Sequence, residues 1–366
     1  MNNLKIIAPL PAITIRTRLV KLAKLLNERG SSVSHWGWSR KDGDTAETLP
    51  FDLHEKVVML RTRSNSVRLH YPRWTLAVFF RLLRSKEDQT LYCLGLESAV
   101  AAWAASKFRK IEYIFDDADR LVLILKLPSP LQQIIRWVEI KVSRSSLAHI
   151  IPGEARYDYS SSKFVIVKNT PTSSDIRDAA NESTPPKPGR FVVYVNGWLG
   201  ETRGLPIALY AATKLLSNKN IVFIAAGRID GPSAEAFVNL ENVNYFGEVS
   251  SSKSLALYNI SDVVLTLYDP SIEINSYAES NKWGDAMVTA TPVVVNSEVK
   301  TAEFLRTSGA AFSAPYSDPD AFVDIFVELS ESENMIKAAK DRLVILSKNT
   351  KPFDSVMNRV LEQHLE

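Results

Sequence analysis

Ser280 to Val295, SNKWGDAMVTATPVVV, carries the densest set of chemistry-bearing residues in the chain. An amide, a cation and a carboxylate (Asn281, Lys282 and Asp285) stand at the start of an apparent helix that ends at Thr291-Pro292. Helix starts hold unpaired N–H groups and the positive end of the dipole, which suits a phosphate. Lys282 adds charge there, and Asp285, one turn on, is placed to accept a hydroxyl such as that of a ribose. The β-branched run Val293-Val294-Val295 predicts a buried parallel strand directly afterwards. An ordinary capped helix whose charges face water shares this composition, so neighbouring motifs have to decide.

Three neighbours fall where open α/β sheets bind ligands, at the carboxyl ends of strands. Asn196-Gly197-Trp198-Leu199-Gly200 follows an expected strand at Phe191 to Val195, and Arg203-Gly204 then leads into a helix. Gly227-Arg228 follows an expected strand at Ile221 to Ala225, and Gly247-Glu248-Val249 follows one at Val243 to Phe246. Glycine lets backbone approach a diphosphate, and Arg203 offers a fork of donors to its oxygens. Singly, each glycine reads as a turn. In this order they read as a phosphate-binding rim.

The first half holds an acidic counterpart, Phe115-Asp116-Asp117-Ala118-Asp119-Arg120, after another expected strand. Carboxylates gathered at a strand end raise one another's pKa and supply a base for an acceptor hydroxyl, although Asp is also a favoured helix cap. Asp119 is the first candidate, then Asp117 and Asp116. Arg16 and Arg18, after the first loop, are candidates to face an anionic acceptor.

These motifs need a frame. Short apolar strands are expected at Leu4 to Ala8, Val33 to Trp38, Lys56 to Leu60, Thr90 to Leu94, Ile111 to Phe115, His149 to Ile151 and Phe164 to Val167. Helical spacing lies between them at Arg16 to Arg29, Trp74 to Arg84, Ser98 to Phe108 and Pro130 to Arg144. Residues 171–190, rich in Ser, Pro and charge, have the composition of a linker. Beyond it the alternation restarts through Leu205 to Leu216, Ser252 to Asn259, Val263 to Leu267, Pro319 to Ser330 and Glu333 to Ser347. The expected class is α/β: two Rossmann-like, doubly wound parallel-sheet domains facing a cleft. Their bounds are 1–170 and 191–351, with a final helix over 352–366 returning to the first.

Composition narrows the setting. A chain of 366 residues is long for one core and suits two. Cys93 is the only cysteine, which excludes an intrachain disulfide and fits a reducing compartment. The opening MNNLKIIAPLPAI lacks the long apolar core of a signal peptide, and no run is long enough to span a bilayer. Charge is nearly balanced overall at +3, yet seven basic residues and no acid lie between Arg61 and Lys86, interleaved with Tyr71, Trp74, Phe79 and Phe80. Such a segment fits an anionic membrane surface, or a core helix with a basic edge. No nucleic-acid motif accompanies it. The five histidines show no ligand spacing, and no Walker or dinucleotide fingerprint is present.

In the order Gly197 … Arg203-Gly204, Gly247-Glu248-Val249, Ser280-Asn281-Lys282 … Asp285 … Pro292-Val293-Val294, the chain resembles the donor half of GT-B glycosyltransferases of the family 4 type. Glu139 and Lys168-Asn169-Thr170-Pro171 resemble the other half. The resemblance implies that Arg203 and Lys282 hold the diphosphate of a nucleotide-sugar, UDP before GDP. It places Asp285 where the family usually has a ribose-binding Glu, and backbone at Gly247 to Val249 beside the base. Asp119 keeps the Asp of the family's His-Asp pair, with Ala118 at the His position. By the same resemblance no metal or cofactor is needed and anomeric configuration is retained. The resemblance further implies an acceptor hydroxyl on a glycan or lipid-linked molecule in surface polysaccharide (lipopolysaccharide or capsule) synthesis, and a cytoplasmic protein, peripheral on the inner membrane face. A GT-B sugar-nucleotide epimerase and an inactive GT-B scaffold subunit are the alternatives.

Overall fold

A computed structural model describes residues 4–39, 48–59, 67–85, 89–125 and 127–365. Leu60, Arg61, Arg63 and Lys86 lie outside them. The chain folds as two compact units, Met1–Lys168 with Asp354–Glu366, and Asn169–Phe353.

The first unit is built on β1 (Leu4–Ile7), β2 (Val33–Ser39), β3 (Asp52–Met59), β4 (Gln89–Leu94), β5 (Ile111–Asp116), β6 (His149–Ile151) and β7 (Phe164–Ile166). They form one parallel sheet in the order β3-β2-β1-β4-β5-β6-β7. Its helices are α1 (Thr17–Glu28), α2 (Tyr71–Arg84), α3 (Leu96–Ala105), α4 (Leu121–Ile124) and α5 (Ser129–Ser145). Trp74, Val78 and Leu82 of α2, at helical spacing, pack with Ala99, Ala102 and Ala105 of α3 on Trp36, Trp38, Leu91 and Tyr113. Small alanines let α3 approach the sheet closely, while the large α2 side chains fill the flank. Trp74 is therefore a core residue, its indole N–H donating to Ser98 Oγ at 3.1 Å.

The second unit opens with α6 (Ser173–Ala179), inside the segment expected to be linker. Thr172 and Asp175 cap it reciprocally, each side chain accepting from the other's backbone N–H. A capping box of this kind starts a helix locally, which the Ser/Pro composition concealed. Then follow β8 (Phe191–Gly200), α7 (Leu205–Lys214), β9 (Ile221–Asp230), α8 (Pro232–Val238), β10 (Val243–Tyr245), α9 (Ser251–Tyr258), β11 (Val263–Thr266) and α10 (Asn281–Thr289). β12 (Val293–Asn296), α11 (Glu303–Thr307), β13 (Ala311–Ala314), α12 (Pro319–Glu331) and α13 (Glu333–Ser347) complete it, and α14 (Phe353–Leu365) closes the chain. The sheet is parallel, in the order β10-β9-β8-β11-β12-β13. Val293, Val294 and Val295 are fully buried between β11 and β13.

Both sheets reverse strand order once, between β1 and β4 and between β8 and β11. The carboxyl ends of those strands are where an open sheet leaves a crevice.

Candidate donor and acceptor sites

The second unit gathers its cations at the end of β8. Strands β8 and β9 run five residues beyond their apolar cores, pairing Gly197 with Gly227 and Trp198 with Arg228. The two glycines make this possible. Gly227 has φ +131°, and a Cβ there would overlap the Gly197 carbonyl. Gly227 N–H donates to Gly247 O at 2.8 Å, so the three glycine turns adjoin. Glu248 is exposed, and Val249 packs on the core.

Helix α10 starts as its sequence predicts, with Ser280 as N-cap accepting from Lys282 N–H at 3.3 Å. It is anchored by Trp283, whose indole N–H donates to Thr266 Oγ1 of β11 at 3.2 Å. It ends at Ala290, left-handed with φ 52°. That anchoring aims the first turn at the β8 end: a Cβ on Gly197 would lie 3.7 Å from Lys282 Cε. Asn281 is exposed beside it. The Lys282 amine is pushed down to about 8, by burial first and then by the Arg203 charge, while Asp285 opposes the shift. Arg203 lies over the Tyr268 ring at 4.8 Å and the Trp198 ring at 5.7 Å, its Nη1 3.4 Å from Asn275 Oδ1. Trp198 is held outward by its indole N–H on Asp230 Oδ2 at 2.8 Å.

Arg203, Lys282, Ser280 and Gly197 thus share one corner of this unit, two cations and a helix start together. Asp285 lies close enough to a buried polar cluster for its charge to be felt there. Its charge helps raise the Tyr258 and Tyr194 phenols, after burial, and Tyr258 OH accepts from Asn196 Nδ2 at 3.2 Å. Tyr268 and Asn275, which position Arg203, carry no motif of their own in the sequence. Tyr268 follows β11, so the strand-end rule that draws attention to Gly197 points to it as well.

In the first unit the acidic loop after β5 is clamped residue by residue. Asp116 is buried, accepting from Arg18 Nε at 2.7 Å and from Tyr92 OH. Arg18 also donates to Val167 O at 2.8 Å. Asp117 is buried and accepts from Tyr157 OH at 2.7 Å. Arg156 donates to Ala118 O at 2.7 Å, and Arg120 is locked between Glu139 at 3.1 Å and Asp158 at 3.0 Å. Arg18 and Asp116 are therefore a buried ion pair under the loop rather than groups facing outward. Only Asp119 reaches outward, 3.2 Å from Arg16 Nη1.

Glu97, in the first turn of α3, joins them although no sequence motif marks it. Its carboxyl is pushed up to about 8, by burial first and then by Asp117 and Asp119, with Arg16 opposing. A carboxyl with that value keeps its proton at neutral pH and can donate. Glu139 is likewise raised to about 7, by burial first and then Asp117, against the Arg120 charge. Among the described residues no group of three or more His, Cys, Asp or Glu side chains is arranged to hold a metal ion, and no helix is long and apolar enough to cross a membrane.

No protein-family model matches the sequence. No curated protein matches it either. Solved structures do match in three dimensions. A sucrose-phosphate synthase from Thermosynechococcus elongatus superposes with TM-score 0.65 at 14% identity, covering 99% of each chain. WaaG, a glycosyltransferase involved in lipopolysaccharide biosynthesis, gives 0.66 at 11% identity, again over 99% of both. A glycosyltransferase from Rickettsia africae gives 0.68 at 13% identity, over 99% of this chain and 97% of that one. With its two parallel, doubly wound sheets, the chain has the GT-B fold.

Proposed function

We propose that this protein is a glycosyltransferase that moves a sugar from a UDP-sugar to a hydroxyl of a glycan or lipid-linked acceptor, with retention, in surface polysaccharide synthesis on the cytoplasmic side of the membrane. The observation that carries the reading is the corner formed by Arg203, Lys282 and the α10 N-terminus. Two cations crowd there closely enough for one to depress the other, as at a site built for an anion.

Transfer builds negative charge on the departing diphosphate and positive charge on the anomeric carbon. Arg203, Lys282 and the first N–H groups of α10 stabilise the first of these charges. Asp285 takes the ribose hydroxyls in this scheme, and the backbone from Gly247 to Val249 borders the base. In the first unit Asp119, held by Arg16, accepts a hydrogen bond from the acceptor hydroxyl, and Glu97 donates one. No metal ion is assigned a step. A similar structure, from E. coli, is described as bound with UDP-2-fluoro glucose, which supports UDP as the nucleotide to try first.

Titration calorimetry with UDP and GDP tests the reading. UDP is expected to bind, and Lys282→Ala to weaken it with the fold intact by circular dichroism. Absence of binding by either nucleotide would remove the donor assignment. Incubation with UDP-glucose and no acceptor separates transfer from isomerisation, since an epimerase returns an isomerised sugar.

A further inference from the structure

The outward side of α2, with the turn before it, exposes large apolar side chains. Trp74, Val78 and Leu82 face the sheet, yet a second stripe, Leu69, Arg73, Leu76, Phe80 and Arg84, recurs at helical spacing on the solvent side. Leu69 is 78% exposed, Leu76 56% and Phe80 50%. Next to it, in the turn after α3, Phe108 is 72% exposed and sits edge-on to Phe79 at 6.3 Å. Arg109 Nη1 lies 3.4 Å from Leu83 O, which ties that turn to α2. Lys107 and Lys110 flank Phe108 and are exposed. On the same side of the sheet, α5 shows Leu131, Ile134, Trp137, Lys141 and Arg144 along one exposed line.

Charge on these elements is one-sided. α2 and residues 106–110 contain no acid, and the only acid of α5, Glu139, is fully buried against Arg120. Large apolar side chains standing in water cost free energy, and cations spaced among them repel one another. A protein partner would have to supply both an apolar face and a matching excess of carboxylates. An anionic bilayer supplies acyl chain and phosphate together, in the arrangement that interfacial helices use.

We propose that the outer faces of α2 and α5, with the Phe108 turn, form the surface by which this protein lies on an anionic lipid bilayer. Leu69, Leu76, Phe80 and Phe108 enter the headgroup boundary, and Arg73, Arg84, Lys107 and Lys110 meet lipid phosphates. The inference rests on the membrane setting proposed above and names its contact surface. Its test needs no sugar nucleotide, so it can fail while the donor reading stands, and the reverse.

The experiment is co-sedimentation of the full chain with vesicles of phosphatidylglycerol and phosphatidylcholine, against phosphatidylcholine alone. Binding is expected only to the anionic vesicles and weakens with added salt. The double variants Phe80→Ser/Phe108→Ser and Arg73→Glu/Arg84→Glu should each lower partitioning by about tenfold or more, with circular dichroism unchanged. Equal partitioning to neutral vesicles, or variants that bind like the parent, overturns the proposal. So does a parent that is dimeric in solution, ignores vesicles and becomes monomeric on Phe80→Ser/Phe108→Ser, because the occupant is then a second copy.

Discussion

Arg18 Nε donates to Asp116 Oδ2 at 2.7 Å, joining the start of α1 to the end of β5 across 98 positions of sequence. Both groups are buried; Tyr92 OH also donates to Asp116, and Val167 O accepts from Arg18. Removing one partner strands the other's charge in the interior, at a cost of about 3–5 kcal/mol. Arg18→Ala and Asp116→Ala are each expected to lower unfolding free energy by that amount in urea. Arg18→Met/Asp116→Leu should cost less than the sum, since no lone charge remains. Additive losses would show that the pair is not coupled.

Lys282 sets a pH dependence for donor binding. Its free amine titrates at about 8, and a bound diphosphate would raise that value. Binding therefore takes up a proton once the pH exceeds about 8, and affinity falls there by up to about tenfold per pH unit. Calorimetry with UDP at pH 7 and pH 9 should show the weakening. Lys282→Arg should flatten it, because a guanidinium stays charged. Lys282→Ala should weaken binding at pH 7 by about 1.5–3 kcal/mol, the worth of a charged hydrogen bond. Identical affinity at both pH values in the parent would remove Lys282 from the phosphate contact.

Much of this is legible in the sequence because strand-end chemistry is local. The Ser280 cap, the α10 helix and the Val293 strand are each specified by residues a few positions apart, and the fold follows from their alternation. Other features arise from partners distant in sequence. Arg18 and Asp116 look like surface groups until Tyr92 and Val167 close over them. Glu97 carries no motif, and burial beside Asp117 and Asp119 alone makes it unusual. The basic run from Arg61 to Lys86 fits either a membrane surface or a core helix with a basic edge; Trp74 does point inward, but Leu76 and Phe80 stand exposed on the other side. A helix apolar on two sides has no single hydrophobic stripe to follow. The β8 and β9 extensions past Val195 and Ala225 escape a sequence pattern because glycine has low strand propensity, and here close backbone contact outweighs it.

Glu97 predicts a stability that declines with pH. With its carboxyl raised from 4.5 to about 8, the folded protein holds a proton that the unfolded chain releases. Stability contributed by the neutral carboxyl is full below about 4.5 and is lost as pH rises towards 8. Glu97→Gln keeps the shape and removes the ionisation. It should gain about 3–4 kcal/mol over the parent between pH 5 and pH 8.5. Denaturant midpoints at the two pH values check this, and a constant difference between them would count against the shift.

Gly227 tests whether the β8–β9 ridge is a rigid platform for Arg203 and Lys282. Its φ of +131° is strained for any residue with a side chain, and an added methyl would overlap the Gly197 carbonyl. Gly227→Ala should therefore pry Gly197 away at a cost of about 2–4 kcal/mol. Because Gly197 lies against Lys282, the same variant should weaken UDP binding more than its loss of stability explains. Gly189→Ala is the control: a methyl there meets nothing within 4 Å, and both properties should stay near the parent's. Thermal melts with and without UDP separate the two effects. If Gly227→Ala lowers the melting temperature but keeps the full UDP-induced rise, the ridge supports the fold without positioning the cations.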